Sequence, residues 1–147
     1  MIEARRRACA LALTLCCARP SSGAAAPGEL RLQADAAGHF LARGLVNGQA
    51  VDFLVDTGAS AVTLGQAQAE ALGLAWRDAP RAQARTAAGS VEARLLELDE
   101  LRVGPLIARR VGAAIVPGPL LPALLGNTFL ERYAWRRDGP VLRLQVR

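Results

Sequence analysis

One carboxylate of this chain stands where an apolar run gives way to a turn. Asp56 follows the run at residues 53–55 and is followed by Thr57 and Gly58. Burying a carboxylate is costly unless it is neutralised or accepts several hydrogen bonds. A glycine lets the chain turn tightly, so that backbone N–H groups and a hydroxyl can reach the carboxylate. The segment therefore predicts a polar site built around Asp56.

Other catalytic chemistries lack the residues that they need. His39 is the only histidine, so a serine triad or a histidine-based metal site would have to be built from it alone, and we expect it to be a surface residue. The three cysteines, Cys9, Cys16 and Cys17, all lie within residues 1–25. The sequence predicts neither a metal site nor a cofactor.

The composition is that of one globular domain. The chain has 147 residues, of which 52% are hydrophobic and 21% charged, enough apolar surface for one core. Its net charge is +5 and every basic residue is arginine, but the arginines are scattered and not gathered on one element. We therefore expect no nucleic-acid binding.

Residues 1–25 have the layout of a secretory signal peptide. A basic start, residues 1–7, precedes an apolar stretch at 8–18 and a small, polar segment, with cleavage expected after Ala24 or Ala25. The apolar stretch is too short for a comfortable membrane span. We expect an exported, periplasmic protein whose domain spans residues 26–147. Lipidation at Cys16 or Cys17 and an uncleaved anchor are the alternatives.

The rest of the chain predicts an all-β domain. Short apolar or alternating segments are broken every eight to twelve residues or so by turn signals. Asn47-Gly48, between strands at 39–46 and 49–55, and Asp138-Gly139, between strands at 133–137 and 141–146, both favour two-residue hairpins. Residues 86–90 predict the tip of a third hairpin.

Two short helices and one loop complete the prediction. Helices are expected at residues 65–72, closed by Gly73, and at 127–133, where Asn127 or Thr128 could cap the start. The segment 117–122 holds three prolines and cannot join the interior of a sheet. Trp76 and Trp135 are expected to pack in the core or at its rim.

These features together resemble a known family. Asp56-Thr57-Gly58-Ala59-Ser60 is similar to the active-site loop of retroviral-type (retropepsin-like) aspartic proteases, and Leu124-Leu125-Gly126 before a short helix is similar to their second signature. The order of hairpin, loop, helix and flap hairpin matches across residues 38–146, most closely that of bacterial exported members. The resemblance implies the acid protease fold, a partly open barrel.

The resemblance also implies roles for individual residues. Asp56 would be the catalytic carboxylate, Thr57 would lock two loops together across a dimer, and Gly58 would contact the substrate backbone. Ala59 would line the substrate site together with the flap tip, whose central residues are Ala87, Ala88 and Gly89.

Two positions depart from the retroviral pattern. An acid and an arginine pair there, and the corresponding residues are Ser60 and Asn127. We expect a hydrogen bond between these two in place of the ion pair. The flap tip also lacks an aromatic residue.

The presence of only one Asp-Thr-Gly motif in the chain predicts a homodimer. Peptide hydrolysis of this type needs two carboxylates that share one proton, and no second Asp-Thr-Gly or Asp-Ser-Gly exists in the chain. The second carboxylate would come from another copy by two-fold symmetry. The sequence thus predicts an aspartic endopeptidase acting on peptides or proteins; the alternative is a non-catalytic peptide-binding or dimerisation module with the same fold.

Overall fold

A computed structural model describes residues 27–86 and 89–147 of the chain. The predicted signal peptide and the flap residues Ala87 and Ala88 lie outside the described residues. The described part holds ten strands and two short helices: β1 (Glu29–Gln33), β2 (Leu41–Val46), β3 (Gln49–Val55), β4 (Val62–Gly65), α1 (Gln66–Ala71), β5 (Arg81–Thr86), β6 (Gly89–Val103), β7 (Leu106–Val116), β8 (Ala123–Leu125), α2 (Asn127–Leu130), β9 (Ala134–Asp138) and β10 (Val141–Gln145).

The larger sheet closes into a barrel. Its strands follow the order β2-β3-β8-β4-β7-β6-β5, and an additional pairing of β2 with β6 joins the first six into a ring. Gly44 of β2 makes this closure possible, because a Cβ at this position would lie 2.7 Å from the carbonyl oxygen of Arg102 in β6. The predicted all-β, barrel-like fold is confirmed.

A smaller sheet lies beside the barrel. It has the order β1-β10-β9, with both pairings antiparallel. Leu142 and Leu144 of β10 are buried against the barrel core. This sheet therefore shares one hydrophobic core with the barrel.

Aliphatic side chains build most of that core, as the scarcity of aromatic residues predicts. Phe53 of β3 and Phe129 of α2 are fully buried at its centre. The Phe129 ring lies 5.0 Å from that of Tyr133, centroid to centroid, in a tilted arrangement that aromatic pairs favour. Trp76 packs against the core, whereas Trp135 is 47% exposed.

The hairpin predictions are confirmed with one shift. Asn47 and Gly48, with φ angles of 47° and 84°, form the two-residue turn between β2 and β3. The turn between β9 and β10 consists of Gly139 and Pro140, one residue later than predicted, because Asp138 still pairs with Val141.

The helices are shorter than predicted, and one cap differs. The first ends at Ala71, with Gly73 in the left-handed region at φ 67°. The second is only four residues long, and its N-cap is Gly126. Neither predicted cap, Asn127 or Thr128, takes that position, because both side chains bind other parts of the fold. The proline-containing segment forms a loop between β7 and β8, as predicted.

Among the described residues, no helix is long and apolar enough to cross a membrane.

Candidate active site

Asp56 comes directly after β3 and is held in place by the neighbouring strand. β3 runs parallel to β8, with Val55 opposite Leu125. The backbone N–H of Asp56 donates a hydrogen bond of 3.2 Å to the carbonyl oxygen of Leu125. The backbone of Asp56 is therefore held in place by two central strands of the barrel.

The turn after Asp56 folds back on its side chain. The backbone N–H of Gly58 donates to Oδ1 of Asp56 at 2.8 Å, and the N–H of Ala59 donates to the Asp56 carbonyl at 3.2 Å. The bond from Gly58 holds the carboxylate in one orientation within the turn. A Cβ on Gly58 would lie only 3.1 Å from the same oxygen, so glycine keeps this approach open.

The start of α2 supports the turn from the other side. The backbone N–H of Asn127 donates to the carbonyl of Ala59 at 2.9 Å, and its side-chain Nδ2 donates to the carbonyl of Thr57 at 3.1 Å. Asn127 thus pairs with the backbone of the turn and not with Ser60, and the hydrogen bond predicted between those two side chains is wrong. The Asn127 side chain is short enough for its amide to reach the main-chain carbonyl of Thr57.

Thr128 connects three segments of the site. Its hydroxyl donates to the carbonyl of Gly112 in β7 at 2.7 Å and accepts a hydrogen bond from the N–H of Val62 in β4 at 3.0 Å. Val62 directly follows the active-site loop, residues 56–61. The hydroxyl therefore anchors both the start of α2 and the end of the active-site loop.

We expect Thr128→Val to destabilise the fold by about 1–3 kcal/mol, because the partly buried N–H of Val62 loses its acceptor. Thr128→Ser, which keeps the hydroxyl, should recover most of this loss. Urea unfolding of the two variants measures the difference in the free energy of unfolding. Equal stability of the valine and serine variants would show that the hydroxyl bridge is unimportant.

Asp56 and Thr57 face a cleft with a volume of about 330 Å³. Asp56 is the only carboxylate among the described residues that line it. The others are glycine, aromatic, aliphatic and basic residues: Gly38, His39, Phe40, Val55, Trp135, Arg137 and Leu142. The described lining of this cleft therefore lacks the second carboxylate of an aspartic dyad.

Thr57 lines the same cleft, directly after Asp56. The residue is exposed, and within the described part of the chain its hydroxyl has no hydrogen-bond partner. A hydroxyl can both donate and accept a hydrogen bond. The position beside Asp56 leaves Thr57 open to a group outside this copy of the chain.

A short turn brings His39 and Phe40 to the cleft. Oδ1 of Asp35 accepts hydrogen bonds from the backbone N–H groups of His39 at 2.8 Å and Ala37 at 2.9 Å. The N–H of His39 is the main reason that the pKa of the Asp35 carboxyl lies below its ordinary value. His39 is a surface residue, as predicted, with a side chain that is 59% exposed.

The predicted flap is a hairpin. Thr86 pairs with Gly89, and the Thr86 hydroxyl donates to the Gly89 carbonyl at 2.8 Å. Ala87 and Ala88 lie outside the described residues. Ala59 belongs to the Asp56 turn, whereas Gly89 does not line the cleft that holds Asp56. The structure thus brings Asp56, Thr57, Gly58 and Ala59 together and leaves Gly89 on a separate hairpin.

Sequence reasoning missed four neighbours of Asp56, which are His39, Phe40, Trp135 and Arg137. Trp135 and Arg137 follow Asp56 by about 80 residues and come from the smaller sheet. The strand alternation of residues 133–137 could have placed Trp135 and Arg137 on one face. Nothing in that segment indicates which part of the barrel the face would meet.

Groups of three or more potential metal ligands are absent from residues 27–86 and 89–147.

Comparisons with known proteins place this geometry in a family. The family model described as "gag-polyprotein putative aspartyl protease" matches residues 42–132, which is more than half of the chain. A crystal structure of a retropepsin-like aspartic protease from Rickettsia conorii is similar, with a TM-score of 0.72 and 30% sequence identity over 81% of this chain and 91% of that chain.

A curated relative is also similar in sequence. It is an uncharacterized protein in the cobV 5′ region of Sinorhizobium sp, 36% identical over 108 residues. The match covers 70% of this chain but only 45% of that relative, so the chain spans less than half of the relative's length. By its family match, its fold and its Asp-Thr-Gly loop, the chain belongs to the retropepsin-like aspartic proteases.

Proposed function

We propose that the chain is an aspartic endopeptidase that hydrolyses peptide bonds as a homodimer. The observation that carries this proposal is the cleft in which Asp56, held by β8 and the Gly58 N–H, is the only carboxylate among the described lining residues. Membership of an aspartic protease family supports a hydrolase. A two-fold related copy supplies the second Asp56, and the exposed Thr57 is free to meet its counterpart.

The two carboxylates divide the acid-base work. The ionised one accepts a proton from a water molecule, whose oxygen adds to the scissile carbonyl carbon, while the protonated one donates its proton to the carbonyl oxygen. In the resulting tetrahedral intermediate, the carboxyl that took the proton from water donates it to the amine nitrogen as the C–N bond breaks. The other carboxylate takes back the proton from a hydroxyl of the intermediate, which leaves a carboxylic acid product and restores the shared proton. The Gly58 N–H orients the carboxylate in both steps.

The two roles require one shared proton, which sets a pH dependence. Two carboxylates held this close cannot both be ionised, and the pair loses its protons in two separate steps. We therefore expect a bell-shaped pH profile of kcat/KM with its maximum on the acid side of neutral. Cleavage of a mixture of peptides, followed by mass spectrometry across pH, checks the profile.

A statine-type inhibitor has a tetrahedral carbon that bears a hydroxyl in place of the attacked carbonyl carbon and thus mimics the tetrahedral intermediate. We expect it to stop cleavage and to raise the melting temperature, because it binds the folded dimer. Binding of peptides without any cleavage at any pH would support the alternative, a peptide-binding module with this fold.

We also propose that residues 1–25 direct the chain to the periplasm and that the protease domain is residues 26–147. Support comes from the basic start at Arg5, Arg6 and Arg7 and the apolar stretch that follows. On expression in a Gram-negative host we expect the periplasmic fraction to contain a chain that begins at Ala25 or Ala26. An intact Met1 in the cytoplasmic fraction alone would contradict export.

A further inference from the structure

The peptide unit between Thr57 and Gly58 is hydrogen-bonded at both of its polar ends. Its carbonyl oxygen, on Thr57, accepts a bond of 3.1 Å from Nδ2 of Asn127. Its N–H, on Gly58, donates a bond of 2.8 Å to Oδ1 of Asp56. A peptide unit is planar, with its C=O and N–H directed to opposite sides. One rigid group therefore connects the Asn127 side chain to the Asp56 carboxylate.

This peptide unit is the part of its turn that can rotate. The Ala59 N–H donates to the Asp56 carbonyl at 3.2 Å, so residues 56–59 form a β-turn with Thr57 and Gly58 at its centre. Type I and type II turns differ by rotation of the central peptide unit, and type II needs a positive φ at the third residue, which glycine adopts readily. Gly58 is not among the described residues with a positive φ. After such a rotation its N–H would face away from the carboxylate.

Asn127 holds the central peptide unit in the orientation that binds Asp56. A carbonyl oxygen only accepts hydrogen bonds, so the side-chain amide presents its NH2 group to Thr57, and rotation of the unit would break this bond. Asn127 is also the first residue of α2, where backbone N–H groups have no partner within the helix. Its N–H donates to the Ala59 carbonyl at 2.9 Å, so one residue binds the turn at two points.

The two bonds of the central peptide unit also strengthen each other. A donor at the carbonyl oxygen polarises the amide and makes its N–H a better donor, by roughly 10–30% per bond in a chain of hydrogen bonds. The bond from Asn127 to Thr57 thus tightens the bond from Gly58 to Asp56. Orientation and polarisation act in the same direction.

We propose that Asn127 is a positioning residue for catalysis, which keeps the Asp56 carboxylate directed at its water molecule by holding the central peptide unit. This inference rests on the proposed function. A carboxylate must lie within hydrogen-bond reach of the water that it deprotonates, and misplacement by about 1 Å can cost about a hundredfold in rate. Asn127 is not among the described residues that line the cleft, so it acts through the turn and not on the substrate.

Steady-state kinetics of Asn127→Ala tests the proposal. Alanine removes Nδ2 but keeps the backbone N–H that binds Ala59. We expect kcat to fall about tenfold and KM to change by less than about twofold, because a positioning residue acts on the chemical step and not on substrate binding. Asn127→Asp, which keeps the shape of asparagine but has no N–H to donate, should lose at least as much. A loss in the aspartate variant alone would overturn the proposal, since it would reflect only the added charge.

Gln49→Glu is the matched control. The Gln49 side-chain amide also donates to a main-chain carbonyl, that of Leu72, at 3.0 Å, but it lies at the start of β3 and not among the described lining residues of the cleft. The substitution exchanges the same chemical groups as Asn127→Asp. We expect wild-type kcat and KM. An Asn127→Ala loss no greater than that of Gln49→Glu, or no greater than the unfolded fraction measured by urea unfolding, would overturn the proposal.

The amide signal of Gly58 in a nuclear magnetic resonance spectrum gives a readout that needs no activity. The full chain is isotope-labelled, and the shift and hydrogen exchange of this N–H are compared between variants. In Asn127→Ala we expect the proton signal to move upfield and its exchange with solvent to become faster, because the bond to Asp56 is weaker. Neither should change in Gln49→Glu. A Gly58 signal that keeps its shift and exchange rate in Asn127→Ala would overturn the proposal.

The two readouts separate this proposal from the proposed function. A wild type that cleaves no peptide at any pH, with a Gly58 signal that moves as expected, would overturn the proposed function and confirm that Asn127 holds the Asp56 turn. A wild type that cleaves peptides, with an Asn127→Ala variant that cleaves them equally fast, would overturn the positioning role and leave the proposed function standing.

Discussion

We expect the Asp56→Asn variant to lose peptide hydrolysis, with kcat reduced by about a thousandfold or more, because acid-base catalysis by a positioned group contributes on this scale. Asparagine has nearly the same shape and can still accept the N–H bond of Gly58, so the turn should keep its geometry. The amide can neither take a proton from water nor share one with a second carboxylate. Steady-state kinetics on one identified peptide substrate measures the loss.

Asp52→Asn is the control for this substitution. Asp52 lies on β3, four residues before Asp56, with a side chain that is 76% exposed and a long ion pair of 3.9 Å to Arg43. Exposed pairs of this kind contribute little to stability. We expect the control variant to keep wild-type kinetics, and a comparable loss in both variants would mean that the effect on catalysis is nonspecific.

Mixing the two proteins tests whether the site is shared between copies. If each active dimer needs two Asp56 residues, an equimolar mixture of wild type and Asp56→Asn that has exchanged subunits contains about one quarter wild-type dimers. The activity should then fall to about a quarter of that of the same total amount of wild type. A fall to only one half would show that each chain works alone and would contradict the proposed dyad.

The sequence predicts local parts of this fold well where one residue type decides the backbone. Asn47-Gly48 fixes its turn because both residues tolerate positive φ angles, and Gly73 ends α1 for the same reason. The Asp56 loop could be predicted because an apolar strand, a carboxylate and a glycine are consecutive in the chain. Such signals are contained within a few residues.

Long strands and distant contacts were harder to predict. β6 continues for 15 residues and β7 for 11, although the sequence suggested short segments throughout. Arg110, with φ 53°, interrupts the regular pairing between these strands, and no local signal indicates that an arginine adopts this conformation. Which strands close the barrel likewise depends on packing, not on any one segment.

The candidate site shows the same division. Asp56, Thr57 and Gly58 were found from their own segment, whereas the role of Thr128 needed three elements to be in place. A threonine at the start of a helix usually predicts a cap, but here the hydroxyl binds Gly112 and Val62 instead. Trp135 was expected to pack in the core or at its rim. Its exposure at an open sheet edge depends on the strand order, which the sequence does not show.

Gly126 joins β8 to α2 at the most crowded point of the site. A Cβ at this position would lie 2.8 Å from the carbonyl oxygen of Ala59 and still closer to the carbonyl group of Ala61. Both neighbours are backbone atoms of the loop that carries Asp56, so neither can move aside as a flexible side chain could. The φ angle of −92° is one that any residue can adopt, so the requirement for glycine here is space.

We therefore expect Gly126→Ala to destabilise the fold by about 3 kcal/mol or more, at the upper end of what overpacking costs, because the loop must shift to admit one methyl group. The shift would also displace the N–H of Asn127 from the Ala59 carbonyl, so activity should fall together with stability. Gly112→Ala is the matched control, since its Cβ would meet Thr128 Cγ2 at an ordinary 3.5 Å. Thermal and urea unfolding compare the stabilities of the two variants. A Gly126→Ala protein as stable as Gly112→Ala would show that the loop can admit the methyl group, contrary to this prediction. The methyl group would press on the backbone of Ala59 and Ala61. If activity falls by more than the fraction of protein that is unfolded, the additional loss reflects displacement of the loop that positions Asp56.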